Sequence, residues 1–531
     1  MTLTATSPLK QTESAPEIQE KTPAAVQRPN RRAVMVSAVL TQLMIVLDLT
    51  IIAIALPHMQ EDLGMTVSQS PWTVTGYSLA FGGLVLFGGR LCAVVGIRRS
   101  YQVGLIGFGI ASLAAGMATS FPVLLAARVA QGCFGALLAP TSQSLLNVTF
   151  TERTERERVF AIFGATGGLG AAVGLLVGGA LTDWFSWRWA LYINILLAAA
   201  ALLIGQRSLP PADQRDRGSR ITDDLSGLVL GCGACFSAVY GLDRAQQTSW
   251  TSTSTVSWLA LGGIAAALFV VRERFANRPV LPLSMMALPV RAASYATQFV
   301  VGAAQMGAII YLTYYMQNHF GYSPFKSGVV FLPMVLALIA TAIPAGRIIV
   351  PRLGARGTLP LGLAVLAGSF LIFSRMTTES TYEHVALPGL IVFGMGLGLT
   401  MPVTFNSGTR GVDAKRTGLA SAILSAAQQI GGSFGVALMT SYATQHAQDY
   451  VTDHAAGVRA EAMEAMMRAQ ALPQSPTGKQ IIETLKAQLV DRAQIEAYSG
   501  GFTMMTWLLA GAATVLVACG IGLSLRRRRR R

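Results

Sequence analysis

The sequence predicts an all-α, polytopic membrane protein with fourteen membrane-spanning helices, and three observations support this fold class. Of its 531 residues, 52% are hydrophobic and 13% are charged, whereas about 25% of the residues of a soluble domain are charged. Its 54 glycines are typical of spanning helices that pack closely. The apolar residues form long runs, and about 20 such residues cover the roughly 30 Å hydrocarbon core of a bilayer.

The apolar runs are separated by charged segments or by segments rich in proline and glycine, and these breaks define the predicted spans. The spans are 34–57, 72–91, 101–119, 122–148, 159–182, 189–207, 225–242, 255–271, 292–317, 327–350, 357–375, 384–405, 418–442 and 499–525.

The positive charges predict the orientation. With the N-terminus in the cytoplasm, 31 of the 41 Lys and Arg residues fall in cytoplasmic segments and four fall in short outer loops. The outer segment 443–498 is long enough to be exempt from the positive-inside rule. An error of one span would disturb this alternation. We therefore predict a multi-pass protein of the cell (inner) membrane with both termini in the cytoplasm.

The polar segments at the two ends predict cytoplasmic tails. Residues 1–33 are rich in Pro and Glu and are predicted to form a disordered tail. The run 526–531 is predicted to anchor the chain to anionic lipid, so the net charge of +15 does not require nucleic acid as a partner. Two helical patches in 443–498, EAMEAMMRAQ and IIETLKAQLV, predict a small amphipathic cap.

One acid and one base lie deep inside the predicted spans. The run from Ala33 to Leu56 contains a single charge, Asp48, which costs about 2.5–3.5 kcal/mol on insertion scales. Arg128 lies inside the fourth span. At 1.5 Å per residue, the two lie about 12 Å and about 9 Å below the same outer boundary. We predict that they share one aqueous cavity in which Asp48 exchanges a proton. The alternative is a static ion pair that fixes helix packing.

Other side chains are predicted to line the same cavity. Thr41 and Met44 share a helix face with Asp48, and Gln131 follows Arg128 by three residues. The remaining candidates come from the ninth and thirteenth spans: Gln298, Gln305, Tyr314, Tyr315, Gln317 and Gln428. For each glutamine, the alternative role is a hydrogen bond to a neighbouring helix.

The fifth span carries a stripe of glycines. Gly170, Gly174 and Gly178 repeat every fourth residue and Gly179 follows, which leaves one face smooth enough for close helix contact. Besides ordinary packing, this face predicts a sliding surface between two bundles. The five cysteines lie in or beside apolar runs, so we predict neither a disulfide framework nor a metal site.

An ordered set of motifs resembles the major facilitator superfamily, in its fourteen-span drug:proton antiporter branch. The motifs are LDLTIIAIALP (47–57), GGRLCAVVGIRRS (88–100), LLAARVAQGCFGALLAP (124–140), GLGAAVGLLVGGAL (168–181), SWRWALYIN (186–194), GYSPFKSGVVFLP (321–333) and AGRIIVPRLGAR (345–356). The resemblance covers about 34–525.

The resemblance implies two six-helix bundles, 34–209 and 292–525, that rock against each other. Between them it places a linker at 210–224, two additional helices at 225–271 and a cytoplasmic loop at 272–291. By match, Asp48 and Arg128 take the coupling roles. The residues implied in conformational change include those of the fifth-span stripe and the loop motifs: Gly89, Arg90, Gly96, Arg98, Arg99, Gly346, Arg347 and Gly354.

Three positions depart from the pattern of the branch. The loop motif usually carries an acid followed by a base, where this chain has Ala93 and Val94. The fifth-span motif usually has proline where Leu175 follows Gly174, and the second-half loop has Pro351 where an acid is common. These departures predict a differently built gate and a straighter fifth helix.

We therefore predict an exporter of drugs, antibiotics or other amphipathic small molecules that works by alternating access. The proton gradient is its energy source, and no cofactor or obligatory protein partner is expected. Three alternatives stay open: an exporter of an endogenous lipid, siderophore or metabolite, a proton-coupled uptake carrier, and a non-transporting scaffold or sensor. An enzyme is not expected, because HExxH and Walker patterns do not occur in the sequence.

Overall fold

The computed structural model of the chain describes residues 30–66, 69, 72–206, 209, 225–276, 285–286, 288–412, 417–468, 473 and 475–529. Nearly all of these residues are helical, and none of them lies in a β-strand. The predicted tail, up to residue 29, and the predicted linker 210–224 lie outside the described residues. The side chains of the terminal arginine run also lie outside them.

Six antiparallel helices form the N-terminal half. They are α1 (Arg31–Asp62), α2 (Trp72–Val95), α3 (Ile97–Gly116), α4 (Phe121–Thr149), α5 (Arg153–Trp184) and α6 (Trp187–Gly205). Arg31 pairs with Glu155 at the start of α5, and Asp62 pairs with Arg188 at the start of α6. We call the end of the bundle where α1 begins the Arg31 end and the opposite one the Asp62 end.

Local sequence signals set where these helices begin. The Asn30 side chain accepts a hydrogen bond from the backbone N–H of Ala33 at 3.3 Å, and the Ser186 hydroxyl accepts one from the N–H of Arg188. Such N-cap side chains satisfy backbone donors that the first turn of a helix leaves free.

Glycine allows α2 and α4 to approach closely. A Cβ atom on Gly88 would lie 2.2 Å from the carbonyl oxygen of Ala136, and one on Gly132 would lie 2.4 Å from that of Tyr77. No larger residue fits at either position without moving the backbone. This contact fixes the helix that carries Arg128 against α2.

Two further helices, α7 (Leu225–Gln247) and α8 (Thr253–Phe275), pack on each other. Helix α7 also contacts α2 of the N-terminal half and α14 of the C-terminal half. Helix α8 leaves apolar side chains such as Leu261, Ile264 and Leu268 exposed. These are the segments that the sequence predicts as two additional spans.

Seven helices form the C-terminal half. They are α9 (Pro289–Tyr314), α10 (Pro324–Val330), α11 (Leu332–Pro344), α12 (Val350–Phe373), α13 (Leu387–Thr409), α14 (Thr417–Arg468) and α15 (Pro476–Arg529). Short π-helical segments extend α9 (Tyr315–His319), join α11 to α12 (Ala345–Ile349) and precede α13 (Tyr382–Ala386).

A break inside α12 occurs at Gly354, which has φ 65° and ψ 173°. This backbone conformation lies in a region that side-chain-bearing residues rarely adopt. The break coincides with the predicted loop between spans 327–350 and 357–375. The chain therefore forms one continuous helical segment from α10 to the first turn of α12. The remainder of α12 forms a second helical segment.

The last two helices are longer than the spans predicted for them. Helix α14 has 52 residues and α15 has 54, so most of the predicted outer segment 443–498 continues these helices instead of forming a small cap. The described part of this segment is rich in strong helix formers such as Ala, Glu, Met and Gln. At 1.5 Å per residue, the 26 residues of α14 beyond 442 extend it by about 39 Å.

The two halves contact each other at the Arg31 end. The Thr409 hydroxyl of α13 donates a hydrogen bond to Asn147 of α4 at 3.2 Å, and Gln143 of α4 donates one to the Ser425 hydroxyl of α14 at 3.2 Å. The Phe163 ring of α5 meets the Phe405 ring of α13 edge-on, with centroids 5.9 Å apart. This end of the interface is closed.

Eleven of the described helical segments are long and apolar enough to cross a membrane. One of the eleven, Phe325–Phe373, runs across the break at Gly354. The molecule is thus an all-helical, multi-pass membrane protein.

Candidate functional site

The two rare charges of the predicted spans are in direct contact. The Arg128 Nη1 atom of α4 lies 2.6 Å from the Asp48 Oδ2 atom of α1, and both side chains are 0% exposed. A charge-assisted hydrogen bond of this length is among the stronger interactions between side chains. The equal depths inferred from the sequence agree with this contact.

Two amides complete the surroundings of the Asp48 carboxylate. The Asn194 Nδ2 atom of α6 donates to Asp48 Oδ1 at 2.6 Å, and the Gln131 Nε2 atom of α4 donates to the same oxygen at 3.2 Å. Gln131 also donates to the Ser112 hydroxyl of α3 at 2.7 Å. Four helices therefore position the groups around one carboxylate.

The Arg128 guanidinium has partners on two further sides. Its Nε atom donates to the Thr73 carbonyl oxygen of α2 at 3.1 Å, and Nη1 donates to the Gln131 Oε1 atom at 2.8 Å. The guanidinium carbon lies 4.7 Å from the centroid of the Tyr77 ring, within the range of a cation–π contact. Nη2 and the Tyr77 hydroxyl have no hydrogen-bond partner among the described residues.

The pair lies inside the N-terminal half and not in an open cavity, contrary to the expectation of a shared aqueous cavity. Ser112, Tyr77 and Asn194 surround the pair, and all three are fully buried. A buried ion pair needs such hydrogen bonds, because desolvation costs each charge several kcal/mol. In this conformation the carboxylate is shielded from solvent on every side.

Thr41 and Met44 also lie within the N-terminal half. The Thr41 hydroxyl is 2.6 Å from the Tyr101 hydroxyl and donates to the Ser37 carbonyl oxygen at 3.0 Å. Met44 belongs to the apolar cluster of this half that contains Tyr77. Of the residues predicted to join Asp48 and Arg128, Gln131 is therefore the one in hydrogen-bond contact with both.

The candidates in the C-terminal half form a separate group. The Gln298 side chain of α9 accepts a hydrogen bond from the Thr404 hydroxyl of α13 at 2.7 Å. Gln305, which follows on the same face of α9, is also buried. Gln428 of α14 is half-buried, and its backbone carbonyl oxygen packs closely against Gly302 of α9. The structure does not bring this group to Asp48.

Three candidates at the end of α9 lie in different surroundings. Tyr314 is 49% exposed. Tyr315 is buried, and its hydroxyl donates to the Thr377 carbonyl oxygen at 3.1 Å. Gln317 is half-buried in the π-helical extension. Tyr315 thus contacts the backbone of another segment, and the Tyr314 ring meets the Tyr311 ring edge-on, with centroids 6.2 Å apart.

The glycine stripe of α5 faces α1 of the same half. A Cβ atom on Gly174 would lie 1.9 Å from the Thr50 Oγ1 atom, and one on Gly178 would lie 3.1 Å from Ile51. Gly170 lies against α1 in the same way, and Gly179 is buried. The predicted sliding surface between two bundles is therefore wrong for this face. Small residues indicate a close helix contact, but they do not indicate which helix makes it.

Other residues of α5 make the contact with the C-terminal half. Phe163 meets α13 at Phe405. The Leu176 side chain lies against Gly328 of α10, where a Cβ atom would come within 2.8 Å of Leu176. The stripe glycines therefore hold α5 on α1, the helix of Asp48, and other residues of α5 face the C-terminal half.

The loop motif after α2 fixes a turn at the Arg31 end. Gly96 has φ 98°, a value that favours glycine. Arg98 donates to the carbonyl oxygen of Gln206 at 3.2 Å, just beyond the end of α6, where helix carbonyls lack partners. Gly89 is buried, and Arg99 is exposed.

The second loop motif also lies at the Arg31 end. Gly346 and Arg347 belong to the π-helical segment before α12, and Arg347 is exposed. Gly354 supplies the positive φ at the break of α12. Arg90 of the first motif is half-buried.

Sequence reasoning missed three residues of the site: Asn194, Ser112 and Tyr77. Asn194 ends the quoted segment SWRWALYIN and is followed by eleven apolar or glycine residues in α6. A lone amide in an otherwise apolar span indicates a polar partner inside the protein. Ser112 and Tyr77 carried no comparable signal, because hydroxyl groups are common in such spans.

A second ion pair lies outside the membrane-spanning part. Asp62 at the end of α1 pairs with Arg188, and the Trp187 indole N–H donates to the same carboxylate oxygen at 2.9 Å. The hydrogen bonds from Arg188 and then Trp187 lower the pKa of Asp62 below its ordinary value. This contact joins α1 to α6, so it supports the placement of Asp48 beside Asn194.

Comparison with known proteins identifies the family. Residues 38–436 match the Major Facilitator Superfamily. The chain belongs to this superfamily. It is accordingly a multi-pass membrane transporter and not an enzyme, as the sequence motifs predict.

Several relatives carry names that state what they resist or export. The chain is 40% identical over 439 residues to the puromycin resistance protein pur8 of Streptomyces alboniger, which covers 81% of this chain and 86% of that protein. It is 33% identical over 406 residues to the cephamycin export protein CmcT of Amycolatopsis lactamdurans, covering 76% and 83%. It is 32% identical over 418 residues to the tetracenomycin C resistance and export protein of Streptomyces glaucescens, covering 79% and 77%.

A solved structure supports the fold. The crystal structure of the human organic anion transporter MFSD10 aligns with a TM-score of 0.55 and 15% sequence identity, covering 91% of this chain and 100% of that one. At this identity the likeness concerns the fold alone.

Proposed function

We propose that this transporter exports an antibiotic or a related amphipathic small molecule from the cell in exchange for protons. The named relatives support the substrate class, since proteins 40%, 33% and 32% identical to it are called resistance or export proteins. The buried Asp48–Arg128 pair is the observation that supports proton exchange. No cofactor is needed, because the proton gradient supplies the energy.

The pair offers a physical route from protonation to movement. In the closed site the two charges cancel, and Asn194 and Gln131 satisfy the carboxylate. A proton on Asp48 would leave the Arg128 charge buried without its counter-ion, which costs about 3–5 kcal/mol. The conformation that exposes the site to water would relieve this cost. Protonation thus favours one conformation and deprotonation the other.

The contacts at the Arg31 end are the gate in this proposal. The hydrogen bonds Thr409–Asn147 and Gln143–Ser425 join the two halves across the interface. They must separate for substrate to enter from that side. Since helices α5 and α13 meet there through Phe163 and Phe405, opening also exposes aromatic surface that suits an amphipathic substrate.

We propose fourteen crossings with the Arg31 end in the cytoplasm. Eleven segments meet length and hydropathy criteria. The break at Gly354 divides one of them into two helical segments. Helices α3, with 20 residues, and α5, with 32, are each long enough to cross. The positive charges of the sequence set the orientation.

The substrate is proposed to contact the polar group of the C-terminal half. Gln298 is fully buried, and its Nε2 atom has no partner among the described residues. The Asn406 Oδ1 atom of α13 is likewise unpaired there. Buried amide atoms without hydrogen-bond partners are rare. These two atoms can form hydrogen bonds with the hydroxyl and amide groups of a neutral or weakly charged substrate.

Transport by everted membrane vesicles tests the proposal. Vesicles that contain the wild type are energised by respiration, and puromycin is added while a pH-sensitive dye reports the interior. We expect proton efflux with the wild type and with Asp62→Asn, a matched loss of one acid from the same helix, but none with Asp48→Asn. Equal proton efflux with the wild type, Asp62→Asn and Asp48→Asn would show that Asp48 does not couple transport to protons. Accumulation of puromycin by intact cells in place of export would identify an uptake carrier.

A further inference from the structure

An apolar groove lies on the surface where α2, α4 and α7 meet, apart from the Asp48 site. It has a volume of 490 Å³. Its walls come from Trp72 and Leu79 of α2, Val129 and Cys133 of α4, and Gly233 and Phe236 of α7. The groove therefore joins the N-terminal half to one of the two additional helices.

The groove opens toward the membrane. Val129 and Phe236 at its rim are each 39% exposed, whereas Leu79 at its floor is 6% exposed. The neighbouring side chains Val123 of α4 and Val229 of α7 are also exposed. In a multi-pass membrane protein, a surface of exposed aliphatic side chains faces lipid.

The lining selects an apolar occupant. None of the described residues that line the groove carries a charge. Sites for drug-like molecules place a few polar groups to orient the ligand, and the indole N–H of Trp72 and two thiols are the polar groups in this lining. An unbranched hydrocarbon chain needs no such orientation.

Glycine creates the space. A Cβ atom added to Gly233 would meet nothing within 4 Å, so the position borders open volume. Across the groove, Gly83 of α2 lies close to Phe236, where a Cβ atom would come within 3.2 Å. The groove is thus bounded by close helix contact on one side and left open at Gly233.

An aromatic cluster and one cation mark the end of the groove nearest the Asp62 end. The Tyr240 ring lies 6.3 Å from the Trp72 ring, 6.1 Å from Phe236 and 4.8 Å from Trp258. Arg244 lies over the Tyr240 ring at 5.1 Å and donates to its hydroxyl. Aromatic rings of this kind concentrate at the level of lipid headgroups.

The acid beside this cation in the chain, Asp243, makes its hydrogen bonds to other side chains. Asp243 accepts hydrogen bonds from Thr75 and Gln247. Arg244 follows Tyr240 by four residues and Gly233 by eleven, so all three share one face of α7. The groove thus has an apolar body and the Arg244 guanidinium near one end.

We propose that this groove is a binding site for one phospholipid of the leaflet at the Asp62 end. An acyl chain fills the groove along Gly233, and the phosphate lies at Arg244. The lipid seals the space between α2, α4 and α7 and holds α7 against the N-terminal half. This site is independent of the transported substrate.

Photo-crosslinking in lipid nanodiscs tests the site. The protein is reconstituted in phosphatidylcholine with a small fraction of phosphatidylglycerol that carries a diazirine in one acyl chain, and crosslinked peptides are mapped. We expect several-fold more label on peptides of α2, α4 and α7 at the groove than on the exposed face of α8. Equal labelling of the two surfaces would overturn the proposal.

A matched pair of variants makes the test specific. Gly233→Leu fills the groove, whereas Gly263→Leu adds the same side chain on α8, where an added Cβ atom also meets nothing within 4 Å. We expect the groove label to fall several-fold in Gly233→Leu and to remain in Gly263→Leu. A groove label unchanged in Gly233→Leu would contradict the proposal. Displacement of the label by puromycin would assign the groove to substrate instead of lipid and would also overturn it.

A third variant tests the positive end. In Arg244→Gln we expect the phosphatidylglycerol probe to label the groove several-fold less than it labels the wild type, because its phosphate loses the guanidinium. Unchanged labelling of the groove in Arg244→Gln would show that the phosphate does not lie at Arg244 and would overturn that part of the assignment.

Discussion

The Asn194 side-chain nitrogen and the Asp48 carboxylate are 2.6 Å apart, the same distance that separates Asp48 from Arg128. The carboxylate is therefore held by a neutral donor from α6 on one oxygen and a charged donor from α4 on the other. Because α6 carries this amide in an apolar stretch, Asn194 is expected to position Asp48 for proton exchange.

Replacing Asn194 with Ala is expected to change the pH dependence of transport. The Asp48 carboxylate loses one of its donors, so the midpoint of the transport pH profile is expected to differ from that of the wild type. A hydrogen bond to a charged group contributes about 1.5–3 kcal/mol, and the unfolding free energy should fall by a similar amount. Transport by vesicles across a pH series provides the measurement.

The control for that prediction is Ser186→Ala, which removes the N-cap of the same helix without touching the site. This variant should lose stability and keep the midpoint of the profile. A midpoint that moves equally in both variants would assign the effect to α6 stability and not to Asp48.

Substituting Gly174 with Ala is expected to destabilise the protein. The added Cβ atom would lie 1.9 Å from Thr50 Oγ1 and 3.3 Å from the Leu47 carbonyl oxygen, so α1 and α5 must separate. Overpacking of this kind costs about 1–3 kcal/mol. Thermal unfolding of the purified protein in detergent measures the loss. Gly368→Ala, where nothing lies within 4 Å of the added atom, should be neutral or stabilising; an equal loss in both would contradict the close contact.

Linking the two halves at the Arg31 end is expected to stop transport. Asn147 and Thr409 are replaced by Cys in a background without other cysteines, and a short bis-methanethiosulfonate reagent joins them through disulfide bonds. Their side chains lie 3.2 Å apart across the interface, so the link holds the gate closed. Transport should be lost and should return after reduction.

A pair of cysteines within one half serves as the comparison for the linked gate. Ser37 and Ala201 lie in contact inside the N-terminal half, with the Ser37 hydroxyl 2.7 Å from the Ala201 carbonyl oxygen. Linking them should leave transport intact. Continued transport with the Asn147–Thr409 link in place would show that this contact does not open.

The Asp62 pair is expected to contribute stability above acidic pH. Because its partners lower the pKa of Asp62 below the ordinary value of 3.8, the contribution is present above that pH and is lost as the pH falls through the lower folded-state value. Exposed ion pairs contribute about 0.2–1 kcal/mol. The melting temperature of the wild type should exceed that of Asp62→Asn at pH 7, and the gap should narrow below pH 3.8. A constant gap down to pH 3 would contradict the pairing.

The charges and the apolar runs allowed much of the fold to be predicted. The depth of Asp48 and Arg128 follows from helix rise alone, and the structure places them in contact. The break at Gly354 fell in a predicted loop because glycine and charge coincide there. Residues 443–468 were predicted to leave the spanning helix because they are polar. Polarity alone does not end a helix, so α14 continues through them.

Partners across the interior were harder to infer. The stripe at Gly174 indicated a close helix contact, but the identity of α1 as its neighbour depends on the three-dimensional arrangement. Asn194 and Asp48 lie far apart in the chain, so no sequence spacing relates them. Their contact becomes visible only in the folded structure. In place of the expected water-filled cavity, the Asp48 and Arg128 side chains lie fully buried among side chains of α2, α3 and α6.

Proton release on substrate binding tests the central claim most directly. The purified transporter in weakly buffered detergent solution receives puromycin while a pH indicator follows the solution. We predict that the wild type and Asp62→Asn release protons and that Asp48→Asn binds puromycin without release. Equal release by Asp48→Asn would contradict the assignment of Asp48 as the exchangeable proton site.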